Sequence, residues 1–476
     1  MNGYQESDFA GVTFSVAFTG ELDRQLAAHL DKGLYQEDLA FAYWKPSRGT
    51  KRYTAILMQV VMPVEGDRVL QGNVAFTADY LGRVQRECPE GYGIALLHSH
   101  PVPGWQDMSD DDEFAEGVRL GGSVANSSGH PVLGLTRGTD GSWSARFWLR
   151  AGPRKYVRHD CETVRVAAVE ALRITHHPAL CPPPAEQPTQ VATVSVWGAA
   201  AQADLARTRV GIVGLGSVGG IIAEALNRLG IENVTYIDHD IVEARNLDRT
   251  LNARPKDVDE HLTKVAIAKR AAEVSHTAGV FHAEAVPASI LTPEGLAAAL
   301  DCDVLLSCVD RPWPRALLNL IAYGHLIPVV DGGILARTDK NGRPLHVDWR
   351  IHTVTAGRAC LYCLGALLRS DVALERAGKL DDPDYFANLP EADRERYARR
   401  NVFPFSLAVA GHQTLQLVGI VTGMPRVGGK GPQHYSVYPG EMRVNDVTAC
   451  DPACEIQPIT GTALALDDWL KATESA

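Results

Sequence analysis

Along most of the chain, short runs of apolar residues alternate with segments of helical period. Residues 21–34 carry apolar side chains at helical spacing, 53–61 and 93–97 read as strands, and 142–149 as a closing strand, an α+β pattern. Residues 160–175 place Val164, Ala167, Ala168 and Leu172 at helical spacing and predict a helix leading out of this unit. Residues 177–190, HPALCPPPAEQPTQ, hold five prolines and little to bury, which predicts a semi-rigid spacer. Beyond it, apolar runs at 210–213, 234–237, 304–307 and 328–330 are separated by helical patterns, as a buried parallel sheet requires. The expected organisation is an α+β domain over 1–176, a linker over 177–193 and an α/β domain over 194–476. A charge-rich stretch, 370–400, interrupts the second domain and predicts a crossing over a functional face.

The strand at 210–213 ends in Gly214-Leu215-Gly216-Ser217-Val218-Gly219-Gly220, followed by a helix-length apolar segment and a second strand ending at Asp238. Gly214, Gly216 and Gly219 suit a turn at which a phosphate meets backbone amides and the positive end of a helix. Asp238 stands where a ribose-binding acid is expected. This unit indicates a nucleotide without saying which one.

Composition narrows the classes. With 45% hydrophobic and 22% charged residues the 476-residue chain is globular, and a net charge of -11 argues against nucleic acid as a partner. No basic start followed by an apolar run is present, and no apolar run reads as long enough to span a bilayer, so a cytoplasmic protein with no membrane partner is expected. Nine cysteines are too sparse for a disulfide scaffold and are expected as thiols.

His98 and His100 follow an apolar run and stand two apart on an extended segment, so both imidazoles face one way. Asp112 brings a carboxylate from the start of the next helix. Three such ligands leave a fourth position for water, the composition of a hydrolytic zinc site; the competing reading is a helix cap beside surface histidines. The full pattern, H-x-H-P followed by S-x-x-D, resembles the JAB/MPN (JAMM) metallopeptidases over about residues 14–149. That resemblance implies catalytic zinc on His98, His100 and Asp112, with Ser109 stabilising the tetrahedral intermediate. It implies Glu37 as general base, although Asp38-Leu39-Ala40 stands where the family usually has glycines.

Asp238-His239-Asp240, Asn246-Leu247-Asp248-Arg249, Lys264 and Asp310, in that order, resemble the adenylating enzymes of the ThiF/MoeB and ubiquitin-activating superfamily over about residues 198–451. The resemblance implies ATP, with Asp238 on the ribose, Asn246, Arg249 and Lys264 on the phosphates, Asp310 on Mg²⁺ and Asp240 as a second acid. These types suit the chemistry, because displacing pyrophosphate from the α-phosphate needs positive charge around the phosphates and a metal-holding carboxylate. The superfamily's arginine segment before the first strand is missing, since no arginine lies between Arg173 and Arg207.

Cys360 with Cys363 and Cys450 with Cys454 form two close pairs that suit a closed structural zinc site. ThiF/MoeB-like proteins place pairs similarly, with C-x2-C where this chain has C-x3-C. From 364 to 449 there is no cysteine, so adenylation without a thioester on this domain is expected, and Cys302 and Cys308 read as core.

Together the resemblances imply adenylation of the carboxyl-terminal glycine of a ubiquitin-like protein, joined to a zinc isopeptidase acting on the same tail. A conjugating-enzyme-like protein is a further expected partner, and relatives of the second domain commonly form homodimers. The alternatives are sulfur-carrier activation for cofactor or amino-acid synthesis with the peptidase releasing product, a non-catalytic binding scaffold, and a dehydrogenase. The last leaves Arg249, Lys264 and Asp310 without a role.

Overall fold

The computed structural model describes residues 4–32, 36–71, 73–339, 341, 343–389, 401–424 and 431–464. In the amino-terminal domain the strands are β1 (Thr13–Thr19), β2 (Leu39–Arg48), β3 (Arg52–Val61), β4 (Arg68–Gln71), β5 (Asn73–Phe76), β6 (Gly93–Ser99), β7 (Val132–Arg137), β8 (Trp143–Gly152), β9 (Lys155–Asp160), β10 (Thr163–Ala167) and β11 (Leu172–His176). Nine of them form one sheet in the order β11-β10-β1-β3-β2-β6-β7-β8-β9, and β4 and β5 make a separate hairpin. Both faces are covered, which is why the central strands read as unbroken apolar runs. On one face Leu22, Leu26 and Leu30 of helix Gly20–Leu30 pack with Val16, Leu97 and Trp143. On the other, Tyr80 and Val84 of helix Ala78–Glu87 and Leu120 and Val124 pack with Phe41, Ile94 and Leu96.

Two expectations are corrected here. Residues 160–175 form no helix; they make the end of β9 and the hairpin β10–β11, because the β-branched run Thr163-Val164 and Val166 finds a parallel partner in β1. Val164 and Val166 face the core while Arg165 faces the second domain, a period of two that the helical spacing obscured. Nor does β8 close the sheet, since β9 and β11 are its edges.

The carboxyl-terminal domain carries β12 (Arg209–Val213), β13 (Asn233–Ile237), β14 (His282–Val286), β15 (Val304–Ser307), β16 (Val329–Thr338), β17 (Pro344–Val354), β18 (Gln433–Ser436) and β19 (Glu441–Val444). The order is β14-β13-β12-β15-β16-β17-β18-β19, parallel through β16 and antiparallel beyond it. The chain turns left from β12 to β13 and later right to β15, so the crevice between the carboxyl ends of β12 and β15 is the switch point at which such sheets bind ligands. Helix Phe403–Thr422 is long and apolar enough to cross a bilayer by length and composition, contrary to expectation. Val409, Ala410 and Leu417 on it are buried in the domain core.

The proline-rich segment is no free spacer. Arg207 Nη1 donates to the Cys181 carbonyl at 3.0 Å, Thr189 Oγ1 to the Thr277 carbonyl at 3.3 Å, and Gln190 is buried. The domains also share a core, in which Ala17, Ile56, Ala167 and Leu172 cluster with Leu205, Val210 and Ile212. The β2–β3 hairpin inserts at the amino-terminal end of β15: the Asp301 carboxylate accepts the backbone amides of Lys51 and Arg52 at 3.0 and 2.9 Å, and Ser47 Oγ lies 2.7 Å from His325 Nδ1. Gly49 is obligatory there, because a Cβ would stand 2.0 Å from Asp301 Oδ1. β2 runs from that hairpin at Arg48 to Leu39, which pairs with His98, a span of about 30 Å at ~3.3 Å per residue.

Candidate functional site

In the first domain, β6 delivers His98 and His100 to the end of the sheet remote from the second domain. Ser109 caps the helix that follows: its Oγ accepts the Asp112 amide at 3.2 Å and donates to Asp112 Oδ2 at 2.8 Å, fixing the carboxylate towards the imidazoles. The His98 and His100 Nε2 atoms are 3.2 Å apart, and each lies 3.3 Å from an Asp112 oxygen. Ligands held tetrahedrally at zinc distances stand about 3.3 Å apart, so the three groups already span one face of such a polyhedron. Burial holds His98 neutral, with its pKa pushed down to about 3, although Asp112 pulls the other way. A neutral imidazole is the state a cation needs.

Behind the histidines is a buried row that the motif does not reveal. Thr136 Oγ1 lies 3.3 Å from His98 Nε2 and accepts Arg146 Nη1 at 2.6 Å, and Glu116 accepts Arg146 Nε at 2.9 Å and Trp148 Nε1 at 2.8 Å. Glu37 lies in the loop before β2 rather than on a strand. Burial raises its carboxyl pKa, His100 opposes this and Asp112 adds to it, so Glu37 shares the electrostatic environment of the three ligands. Its neighbour Asp38 is fully buried, with its amide on Ser99 Oγ at 3.1 Å.

In the second domain Gly214 adopts φ +92°, and a Cβ on Gly219 would meet the Gly214 carbonyl oxygen at 1.9 Å, so the turn closes only with glycines at both positions. Gly216 lies open beside it. Asp238 ends β13 and clamps the turn: Oδ2 accepts the Leu215 amide at 2.5 Å and Oδ1 the Asp240 amide at 2.8 Å. Burial raises the Asp238 pKa while Lys264 opposes it. Lys264 Nζ donates to Asp240 Oδ2 at 2.6 Å, which holds that carboxyl below its usual range against the effect of burial. Asn246 Oδ1 accepts the Glu243 amide at 3.0 Å, and Arg249 Nη1 donates to the Arg245 carbonyl at 2.8 Å and Asp248 Oδ1 at 2.7 Å. Asp310 is exposed, three residues past the end of β15.

Beyond the motifs, Ser217 in the first turn after the glycines shares a polar cluster with the long apolar helix. Its Oγ lies 2.7 Å from Ser406 Oγ, and Asn401 Nδ2 donates to both at 2.8 Å. The arginine that precedes β12, Arg207, is held by Asp204 and Cys181 and does not serve the turn.

Cys360, Cys363, Cys450 and Cys454 have their sulfurs within 4.8 Å of one another, and Cys360 and Cys454 are 3.6 Å apart, close to the ~3.8 Å edge of a zinc tetrathiolate. The amides of Cys360, Cys363 and Ile456 point at sulfurs of the set. The hydrogen bond from Cys360 pulls the Cys450 thiol down to about 5. Cys302 is buried, with its thiol pushed up to about 12, and burial raises Cys308 as well, as core thiols should behave.

The ThiF family model matches residues 188–455, more than half of the chain. The chain belongs to the ThiF family. Among curated ThiF-family relatives, molybdopterin-synthase adenylyltransferase of Escherichia coli (strain K12) is 29% identical over 169 residues, 35% of this chain and 62% of that protein. The adenylyltransferase and sulfurtransferase UBA4 of Yarrowia lipolytica (strain CLIB 122 / E 150) is 30% identical over 167 residues, 32% of this chain and 39% of that one. The match thus spans less than two thirds of either relative. The structure of E. coli MccB with MccA superposes with a TM-score of 0.44 at 15% identity, covering 57% of this chain and 74% of that one. In this ThiF-family chain the matched stretch holds the glycine turn, the Asp238–Lys264 group and all four clustered cysteines; the His98 site lies outside it.

Proposed function

We propose that the carboxyl-terminal domain uses ATP to adenylate the carboxyl-terminal glycine of a ubiquitin-like or sulfur-carrier protein. The observation that carries this reading is the placement of the Asp238-clamped turn, Lys264 and Asp310 around the carboxyl ends of β12 and β15. In this reading the turn's amides and Lys264 hold the phosphates, Asp238 keeps the turn closed and offers its free lone pairs to the ribose, and Asp310 holds Mg²⁺. The tail carboxylate attacks the α-phosphorus as pyrophosphate leaves. ATP–pyrophosphate exchange with glycine-tailed β-grasp proteins tests it; exchange with none of them would remove the activity. The names of the two curated relatives and the absence of a cysteine between 364 and 449 favour a sulfur-carrier substrate over a thioester-forming conjugation step.

We further propose that the amino-terminal domain is a zinc peptidase that cuts at the same kind of tail, supported by the spacing of His98, His100 and Asp112. A bound zinc would lower the pKa of a water and polarise the scissile carbonyl. Glu37, with its raised carboxyl pKa, would serve as the base that accepts a proton at this site and passes it to the leaving amine. Glu37→Ala should abolish cleavage of a tail fusion while zinc content stays near native, and equal cleavage by the variant would remove Glu37 from the mechanism. The four cysteines fit a second, structural zinc that joins residues 360–363 to 450–454.

A further inference from the structure

The Asp38-Leu39-Ala40 run after Glu37 has no part in the functions proposed so far. Asp38 is fully buried in the loop before β2, where an apolar side chain would cost less than a carboxylate. Its backbone is tied to Ser99 in both directions: the Asp38 amide donates to Ser99 Oγ at 3.1 Å, and the Ser99 amide donates to the Asp38 carbonyl at 3.0 Å. Ser99 stands between His98 and His100, so residue 38 joins the Glu37 loop to the strand that carries both imidazoles.

The carboxylate itself gathers positive groups from separate elements. Arg68 Nε, on β4, lies 2.8 Å from Asp38 Oδ1. Lys32 Nζ, just past helix Gly20–Leu30, faces Oδ2 at 3.8 Å, and that oxygen accepts no hydrogen bond from the described residues. His29 Nε2 donates to the Leu39 carbonyl at 3.0 Å and stands 3.7 Å from Oδ1, which also accepts the Leu39 amide at 2.8 Å. Helix, hairpin and β6 therefore meet at the residue that follows Glu37. Arg68 belongs to the exposed part of the β4–β5 hairpin, where Val69 and Leu70 face solvent; the other end is anchored by Phe76 against Phe41 and Tyr80. A buried carboxylate stripped of its nearest cation is left undercompensated, which favours release of its loop toward water.

We propose that Asp38 is a positioning residue for Glu37 and that Arg68 completes the clamp, so that the β4–β5 hairpin fixes, through one ion pair, where the base stands relative to His98 and His100. The assignment rests on the peptidase reading and adds the residues that hold its base. A base works only within hydrogen-bond reach of the proton it takes, and a displacement of about 1 Å can cost about 10²-fold. Neither Asp38 nor Arg68 belongs to the metal-ligand set, so loss of the clamp acts on turnover rather than on metal or substrate capture.

The test uses the full zinc-loaded chain, cleavage of a glycine-tailed fusion, and hydrogen exchange of the substrate-free protein read by mass spectrometry. Arg68→Met keeps the length of the side chain and removes its charge. It should lower kcat by about tenfold or more with KM within about twofold and zinc content unchanged, and Arg68→Lys should recover most of the loss. Amides in segment 37–40 should exchange at least about tenfold faster in Arg68→Met, while segment 41–44 keeps its wild-type rates. Asp38→Asn, if it folds, should reproduce both effects. Unchanged exchange in segment 37–40, faster exchange without loss of kcat, or a loss of kcat that only follows a loss of zinc would overturn the proposal. So would a rise in KM alone, which would make Arg68 a substrate contact. Absence of cleavage of any glycine-tailed fusion by wild type would count against the peptidase reading instead, and the exchange rates would still decide the clamp.

Discussion

Arg52 and Asp303 meet across the boundary of the two domains, Nη1 to Oδ1 at 2.6 Å, with neither side chain more than 1% exposed. Arg165 Nη1 reaches the same oxygen at 2.8 Å, and the Arg209 amide takes the other at 3.0 Å. One carboxylate thus answers two buried guanidinium groups, so its removal strands both. Asp303→Asn should cost about 3–5 kcal/mol in urea unfolding at pH 7. Burial opposes ionisation of Asp303, but Arg52 and Arg165 outweigh it and hold the carboxyl well below the usual range. A depressed folded pKa stabilises above the unfolded value of about 3.9 and loses that stabilisation as pH falls through the folded one. Wild type should therefore lose stability below about pH 4, and Asp303→Asn should show a flatter acid limb there. An equal acid slope in both would show that Asp303 does not carry it.

Metal content separates the two ligand sets. Purified wild type should hold two zinc equivalents by elemental analysis. His98→Ala or Asp112→Ala should lower this to one with little change in melting, since these groups stand at a sheet end. Cys360→Ser should also lose one, but with a lower melting temperature, because Cys360 and Cys450 are buried beside Tyr323 and the Arg358 carbonyl, which lie next to the domain boundary.

If the glycine turn binds ATP as proposed, Lys264→Ala and Asp310→Asn should each lower ATP–pyrophosphate exchange by about 10²–10³, the scale on which a charged group serving a phosphoryl transition state acts. Lys264→Ala also frees Asp240, whose carboxyl pKa should then rise toward its usual value; NMR titration of the Asp240 side chain reads this without turnover.

Gly219→Ala probes the turn itself. Its methyl would enter the space of the Gly214 carbonyl oxygen, and Gly214 cannot retreat because its own Cβ position faces the Cys308 carbonyl at 2.8 Å. A loss of about 1–3 kcal/mol in stability is expected, with calorimetric ATP affinity at least tenfold weaker. Gly216→Ala meets nothing within 4 Å and should be tolerated in stability.

The glycine turn and the His98–His100 pair were legible because each lies within a few consecutive residues, where one strand or one turn fixes the geometry. The cysteine pairs were legible through their local spacing. The hairpin β10–β11 was not, since Val164, Ala167 and Leu172 satisfy helical spacing and only the contact with β1 decides for strand. Thr136, Arg146 and Glu116 behind His98, and His29, Arg68 and Ser99 around Asp38, come from separate segments whose meeting is a property of the fold. Residues 390–400 of the expected charged crossing lie outside the described residues; before them it forms helices Arg369–Arg376 and Pro383–Asn388.

The β2–β3 hairpin that docks at the amino-terminal end of β15 has a consequence for traffic between the sites. His98 lies about 30 Å up β2 from that hairpin, and the glycine turn lies at the other end of β12 and β15, so the boundary separates the two centres. Crossing 30 Å alone takes about nine extended residues. On the functions proposed above, a tail bound at the glycine turn must let go before it can be cut at His98, and an activated acyl group would wait on the side of the molecule remote from His98. On that reading, one chain would load and trim the same carrier in separate visits without destroying its own intermediate.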